Sequence, residues 1–314
     1  MSNQTTVREF ILLGLTDHRG LEILIFLLLL SIYLLTIIGN VAIITITLVD
    51  HHLCTPMYFF LRHVAFLDIG YTTTIIPKAL ANMALGKRTI SLHGCFMQLF
   101  LYFGLGTTVF FLLAVMAFDR YLAICKPLHY SSIMNGQICS LLVLCCWIGG
   151  FLVILGPTMP LFQMPFCGPN IIDHFFCDNG PLIKLVCADT ALLELTDSLT
   201  GTLSLIGTLV VNLVSYIHII SSVMRIPSTT GRQKAFSTFS SHITVVSITY
   251  GSCIFLYVKP KETGKLEFGK LVAVLNTIIS PLLVPFVYCL RNKQVKDALR
   301  GAFRQGVAFC RNSK

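Results

Sequence analysis

The stretch FLLAVMAFDRYLAIC, residues 111–125, ends a long apolar run in Asp119, Arg120 and Tyr121. From Gly94 to Phe118 the chain has 25 residues without a formal charge. A charge placed against hydrocarbon costs roughly 2.5–3.5 kcal/mol at a helix centre. A carboxylate next to a guanidinium can neutralise it. Such a pair either marks where a helix leaves a membrane or is retained for a function that outweighs its cost. Elsewhere the residue types that do covalent chemistry are not arranged for it. There is no HExxH, no phosphate-binding loop and no nucleophile elbow. Gly104-Leu105-Gly106 is far from a nucleotide fingerprint, and glycine in a membrane helix usually permits close packing. The expectation is a protein that is not an enzyme and carries no cofactor or metal.

The elements that must position Asp119 and Arg120 follow from composition. The chain has 314 residues, 55% hydrophobic and 12% charged. A soluble domain carries about 25% charged residues. The apolar residues gather into long runs, with 27 uncharged residues from Ile23 to Val49. That run is too long for a signal-peptide core and reads as a retained anchor. Six more spans follow: about 56–78, the run ending at Asp119, 138–158, 197–225, 234–259 and 270–291. Each is long enough for a helix to cross about 30 Å of hydrocarbon. The span at 56–78 is the weakest, because Arg62 and Asp68 interrupt it. The predicted fold is an all-α membrane protein. It divides into an extracellular N-terminus (1–22), a seven-transmembrane helix bundle (23–291) and a cytoplasmic tail (292–314).

Three signals orient the bundle. The sequon Asn3-Gln4-Thr5 is glycosylated only if the N-terminus lies outside. With that orientation, Lys and Arg divide 13 inside to 10 outside, in the expected direction. Of the 14 acidic residues ten fall outside, three inside, and Asp68 in the membrane. The net charge of +9 is therefore cytoplasmic, where anionic lipid and acidic partner surfaces lie. It is spread over short loops and a tail, which excludes a nucleic-acid-binding face. In the tail, Val295, Leu299 and Phe303 recur every four residues among Lys296, Arg300 and Arg304, as an interfacial amphipathic helix requires. Cys310 is either a palmitoylation site or a free thiol.

Four of the twelve cysteines fall outside: Cys95, Cys167, Cys177 and Cys187. An oxidising compartment favours disulfides over a metal site, and four cysteines allow three pairings. Three of them lie in the longest external segment, about Pro160 to Asp197. A loop of that length in a compact protein is usually functional.

Several motifs in order carry a resemblance: PMYFFL at 56–61, FDRYLAIC ending span three, Ser215-Tyr216, KAFSTFSSH at 234–242 and PLLVPFVYCLRN at 281–292. With HFFCDNGPLIKLVCADT at 174–190, they resemble the olfactory receptors, a branch of the rhodopsin-like G-protein-coupled receptors. The likeness runs from Phe10 to about Phe303. It implies that Asp119 neutralises Arg120 at rest, and that Arg120 is freed toward a heterotrimeric G protein and Tyr216 when helix six swings out. Tyr121, Lys234, His242, Pro285 and Tyr288 belong to the same switch by motif. It also implies the disulfides Cys95–Cys177 and Cys167–Cys187, an odorant ligand, the olfactory stimulatory G protein and rising cAMP at the plasma membrane.

Candidate ligand-binding residues follow by position. Tyr102 lies 17 residues, about 25 Å, outward of Asp119. Phe103, Gly106 and Thr107 border its face. Tyr250, Cys253 and Tyr257 on helix six, Thr200 and Ser204 on helix five, and Val274 and Thr277 on helix seven complete the wall. Each of these positions also suits plain bundle packing. The expected lining is aromatic and aliphatic, with hydroxyls and no carboxylate, which favours a small uncharged volatile ligand over an amine. Two positions depart from the family pattern, where a Glu and an Asn are usual: here they are Val109 and Val284. The intramembrane polar core then keeps Asp68 and Asn40, and a sodium site there should be weak. A transporter or channel is the competing class, but it calls for internal repeats or a line of intramembrane ionisable groups, neither of which is evident.

Overall fold

The computed structural model describes residues 7–16, 18–167, 169–257, 270, 273–291, 295–298 and 300–301. Asn3, Cys310, Leu299 and Phe303 lie outside the described residues, as do the side chains of Lys234, Tyr257 and Tyr288. The chain runs as long helices: α1 (Arg19–Val49), α2 (Pro56–Leu85), α3 (Leu92–Cys125), α5 (Gly136–Gln163), α7 (Ala191–Met224) and α8 (Thr229–Tyr257). A π-helical turn, Leu275–Ile279, runs into α9 (Ser280–Arg291). The short helices α4 (Pro127–Ile133) and α6 (Asn179–Ile183) lie in the connections. Among the described residues, α1, α3, α5 and α7 are by themselves long and apolar enough to cross a membrane. The fold is the expected seven-transmembrane bundle.

Apolar and polar residues are placed as lipid solvent requires. Leu24, Ile38, Leu152, Leu203 and Ile217 are more than half exposed on outer faces. Asn40, Thr72, Thr108, Asp119 and Asn212 are fully buried. Several buried threonines satisfy their hydroxyls within their own helices: Thr36, Thr72 and Thr108 each donate to a carbonyl four residues back, Thr108 to that of Gly104 at 2.8 Å. α3 runs through the centre, against α2, α5, α7 and α8. It approaches α5 closely at Gly150, where a Cβ would collide with the Thr108 hydroxyl and lie 2.9 Å from the Thr108 amide nitrogen. α2 runs seven residues past Lys78, the expected end of that span, and carries Pro77 inside it.

A three-stranded sheet caps one end of the bundle. β1 (Glu9–Leu12) lies between β2 (Thr89–Ser91) and β3 (Ile171–Ile172). It is antiparallel to β2, with Phe10 opposite Ile90, and parallel to β3, with Ile11 opposite Ile171. Phe10 and Leu12 are buried beneath it. Beyond the sheet, Gly14 adopts φ +83°, a left-handed conformation that glycine takes without strain, and its amide donates to the His174 carbonyl at 3.2 Å. Cys95 is bonded to Cys177, and Cys167 to Cys187. Together they pin the α5–α7 connection over the bundle.

Candidate functional site

Beneath that cap lies a cavity of about 460 Å³. This is within the 300–1,000 Å³ usual for small-molecule sites. α3 supplies Tyr102, Phe103, Gly106 and Thr107, whose spacing places them on one face. α7 adds Thr200 and Ser204, and α8 adds Cys253. Tyr102 stacks on Tyr71, centroids 4.6 Å apart, and its hydroxyl is 3.1 Å from that of Thr277. Three expected residues stand behind the wall instead. Thr277 is fully buried against the Tyr102 hydroxyl. Val274 packs against the cluster of Leu29, Ile76 and Ile278, on the side of the chain that meets α1 and α2. Tyr250 lies about one turn deeper than Cys253, edge-on to Phe110 with ring centroids 5.0 Å apart and its hydroxyl accepting from Asn212 at 3.2 Å.

The expectation of no carboxylate is corrected. Asp173 and Asp178 from the loop, and Asp197 from α7, line the mouth of the cavity. Each already has a donor. The Lys270 ammonium pairs with Asp173 at 2.5 Å. The Asn179 side-chain amide donates to Asp197 at 2.8 Å, and its backbone amide to Asp178 at 3.0 Å. His174 and Phe176 also line the cavity from the loop. The His174 ring stacks on Phe175 and meets Phe176 edge-on, centroids 4.4 Å apart. Burial, helped by the Lys270 charge, lowers its pKa to about 4, so it is neutral at physiological pH. These loop residues escape helical spacing. The signal that could have found them is Cys177: its bond to Cys95, seven residues before Tyr102, draws Phe176 and Asp178 over the outer end of α3.

At the other end, Asp119 is fully buried and Arg120 nearly so. Arg120 Nε donates to Asp119 Oδ2 at 2.9 Å, and its Nη2 is bonded to the same oxygen. Asp119 Oδ1 accepts from the Tyr130 hydroxyl of α4 at 2.7 Å. Tyr130 was not anticipated from the sequence; it lies 11 residues away, in a connection. Tyr216 bonds to His242 Nδ1, at 2.8 Å, joining α7 to α8. Tyr121 faces His218, centroids 5.6 Å apart. Pro285 is buried where α9 meets α1, and a Cβ at Gly39 would lie 3.0 Å from its ring.

Between the two ends a small cavity of about 40 Å³ borders Asp68, Val109 and Val284. Asp68 Oδ2 is buried without a hydrogen-bond partner among the described residues. Asn40 does not serve it; its amide donates to the carbonyls of Thr36 at 3.0 Å and Pro281 at 3.4 Å. Beside the two valines the lining holds one carboxylate and otherwise only neutral polar groups, Thr249, Asn276 and Ser280 among them, a poor set for a cation; the space is large enough for about one water molecule. Sodium is therefore expected to leave basal signalling nearly unchanged. G-protein nucleotide exchange in membranes, titrated with sodium against a large-cation salt, checks this. Marked inhibition of the unaltered chain would refute it, whereas inhibition gained only with Val109→Glu plus Val284→Asn supports it.

The comparisons with known proteins agree with this geometry. A family profile described as "Olfactory receptor" matches residues 29–305. Olfactory receptor 6E1 of Mus musculus is 57% identical over 301 residues, covering 96% of each chain. Olfactory receptor 6C2 of Homo sapiens is 50% identical over 309 residues, covering 98% of this chain and 99% of that one. The crystal structure of squid rhodopsin superposes with a TM-score of 0.74 at 15% identity, over 94% of this chain and 84% of that one, a likeness of fold.

Proposed function

The chain belongs to the olfactory receptor family, and from that premise we propose that its capped cavity binds a small uncharged volatile ligand. It is a multi-pass plasma-membrane receptor that senses odorants through a G protein, and it is not an enzyme. Its finer coupling is to the olfactory stimulatory G protein and rising cAMP. Its N-terminus and cap face outward, and its tail faces the cytoplasm.

The observation that carries the reading is the cavity itself. Its floor is Tyr71, Tyr102, Phe103 and Phe110, with hydroxyls at Thr107, Thr200 and Ser204. Its three carboxylates already hold donors at the mouth. Of these carboxylates Asp173 is charge-paired with Lys270, and Asp178 and Asp197 accept from the neutral amides of Asn179; an uncharged ligand on the aromatic floor needs none of the three. Ligand in the cavity touches α3, α7 and α8. Two of these carry the Tyr216–His242 link and the third carries Arg120. A shift of α8 at the cavity can therefore be felt at the Arg120 end, as a two-state element requires.

A cAMP assay in cells expressing the chain, against a broad panel of volatile alcohols, ketones, esters, amines and hydrocarbons, tests the proposal. Responses confined to amines would overturn the uncharged-ligand reading. Calcium responses through another G protein, without cAMP, would overturn the coupling. Thr107→Val is expected to weaken polar odorants by up to about tenfold, the worth of one buried hydrogen bond, and to leave hydrocarbons nearly unchanged. Equal shifts for both classes would show that Thr107 only packs.

A further inference from the structure

A second cavity, of about 410 Å³, opens on the outer surface between α2 and α3, below β2. One wall is Thr74 and Lys78, four residues apart on α2. The other is Gly94, Met97 and Leu101, one stripe of α3, and Ile90 closes the top. Met97 is 48% exposed. Lys78 is half-buried, and it forms no ion pair among the described residues. The groove shares no lining residue with the capped cavity.

We propose that this groove is a lipid site, in which Lys78 pairs with the phosphate of a phospholipid whose acyl chain lies along Met97 and Leu101. The depth suits that occupant. α2 has 30 residues, about 45 Å, and the hydrocarbon core takes about 30 Å of it. Lys78 stands seven residues, about 10 Å, inside the Leu85 end, near the boundary of hydrocarbon and headgroups. A lysine stem there lies along apolar surface and lifts its ammonium toward the phosphates. A soluble anion would leave the apolar half of the groove unfilled; a phospholipid fills both halves.

The site has a route to the cap. The Gln98 side chain donates to the Thr74 carbonyl at 3.1 Å, joining α3 to α2 behind the groove. Its carbonyl oxygen accepts from the Cys177 amide at 3.0 Å. A lipid seated here braces α2 against the end of α3 to which Cys95 ties the disulfide-bonded loop.

The test uses the full chain in phosphatidylcholine nanodiscs holding a minor share of phosphatidylglycerol with a diazirine on its acyl chain. Labelled peptides are mapped after illumination. Label is expected in residues 92–101 above that on the exposed α7 face around Leu203. Lys78→Gln should reduce it about fivefold, the effect of losing one basic residue at a charged membrane surface. Lys78→Arg should keep it, and Lys87→Gln, outside the groove, should not change it. Inorganic phosphate should not compete. Equal labelling of the unaltered and Lys78→Gln chains, label no greater than on α7, or displacement by phosphate would each overturn the lipid site.

Discussion

Arg120→Ala is expected to abolish ligand-driven cAMP while receptor remains measurable at the cell surface. Arg120 and Asp119 are closed on each other in a buried pocket, and the Tyr130 hydroxyl completes the shell of the carboxylate. In the switch proposed for this end, the arrangement is the resting state: the charges are satisfied internally until an outside partner competes for the guanidinium. Removing the arginine removes what the partner would engage. It also leaves a buried carboxylate with one donor, which costs on the order of 3–5 kcal/mol and will lower receptor yield. Surface antibody staining therefore accompanies the cAMP measurement. Asp119→Asn acts in the opposite direction, because it loosens the grip on Arg120, and should raise basal cAMP. Normal ligand-driven output from well-expressed Arg120→Ala, or unchanged basal output from Asp119→Asn, would sink the switch assignment.

Gly150→Ala should be nearly as damaging, by another route. Gly150 faces Thr108 where α5 crosses α3, and the obstacle is partly backbone: the Thr108 amide nitrogen at 2.9 Å and its Cα at 3.0 Å from an added Cβ. Backbone cannot rotate away, so the helices must separate. In a membrane, helix association depends on such close approach, since lipid tails are as apolar as the side chains. Overpacking typically costs 1–3 kcal/mol. That is a sizeable share of the roughly 5–15 kcal/mol by which most proteins are stable. Surface expression and the melting temperature of purified receptor should both fall well below those of the unaltered chain. Gly104→Ala is the graded control: its added Cβ would lie 2.7 Å from the Phe151 ring, a side chain that can turn aside. Equal melting temperatures for Gly150→Ala and the unaltered chain would refute the packing argument.

The long helices were legible because a membrane span is a local property. The uncharged run at 23–49 sits inside α1, and the run ending at Asp119 sits inside α3. α2 was read seven residues short because hydropathy counts Lys78 as a break, whereas a helix with lipid beside it carries a lysine by extending its stem. The cap was illegible for the opposite reason. Its strands are two to four residues long, too short to show a period, and they exist only through pairing with distant segments. The cavity divides along the same line. Helical spacing found the α3 face from Tyr102 to Thr107. It could not see His174 or Phe176, and position along helix seven alone misplaced Val274, which packs toward Leu29 and Ile76. For the Asp119 pair, the motif gave the ion pair, but Tyr130 needed the fold of α4.

The parallel pairing of β1 with β3 sets an order of events during synthesis. Ile11 cannot meet Ile171 until residues 171–172 have been made and threaded, some 160 residues after β1 itself emerges. At 5–20 residues per second, that is a wait of roughly 10–30 s. Through this interval Phe10 and Leu12, fully buried in the finished protein, have no β3 to lie against. A segment made some 160 residues before its partner is thus among the last to find its place, and a nascent chain stalled before residue 171 would keep the apolar strand β1 open to chaperones or to wrong partners.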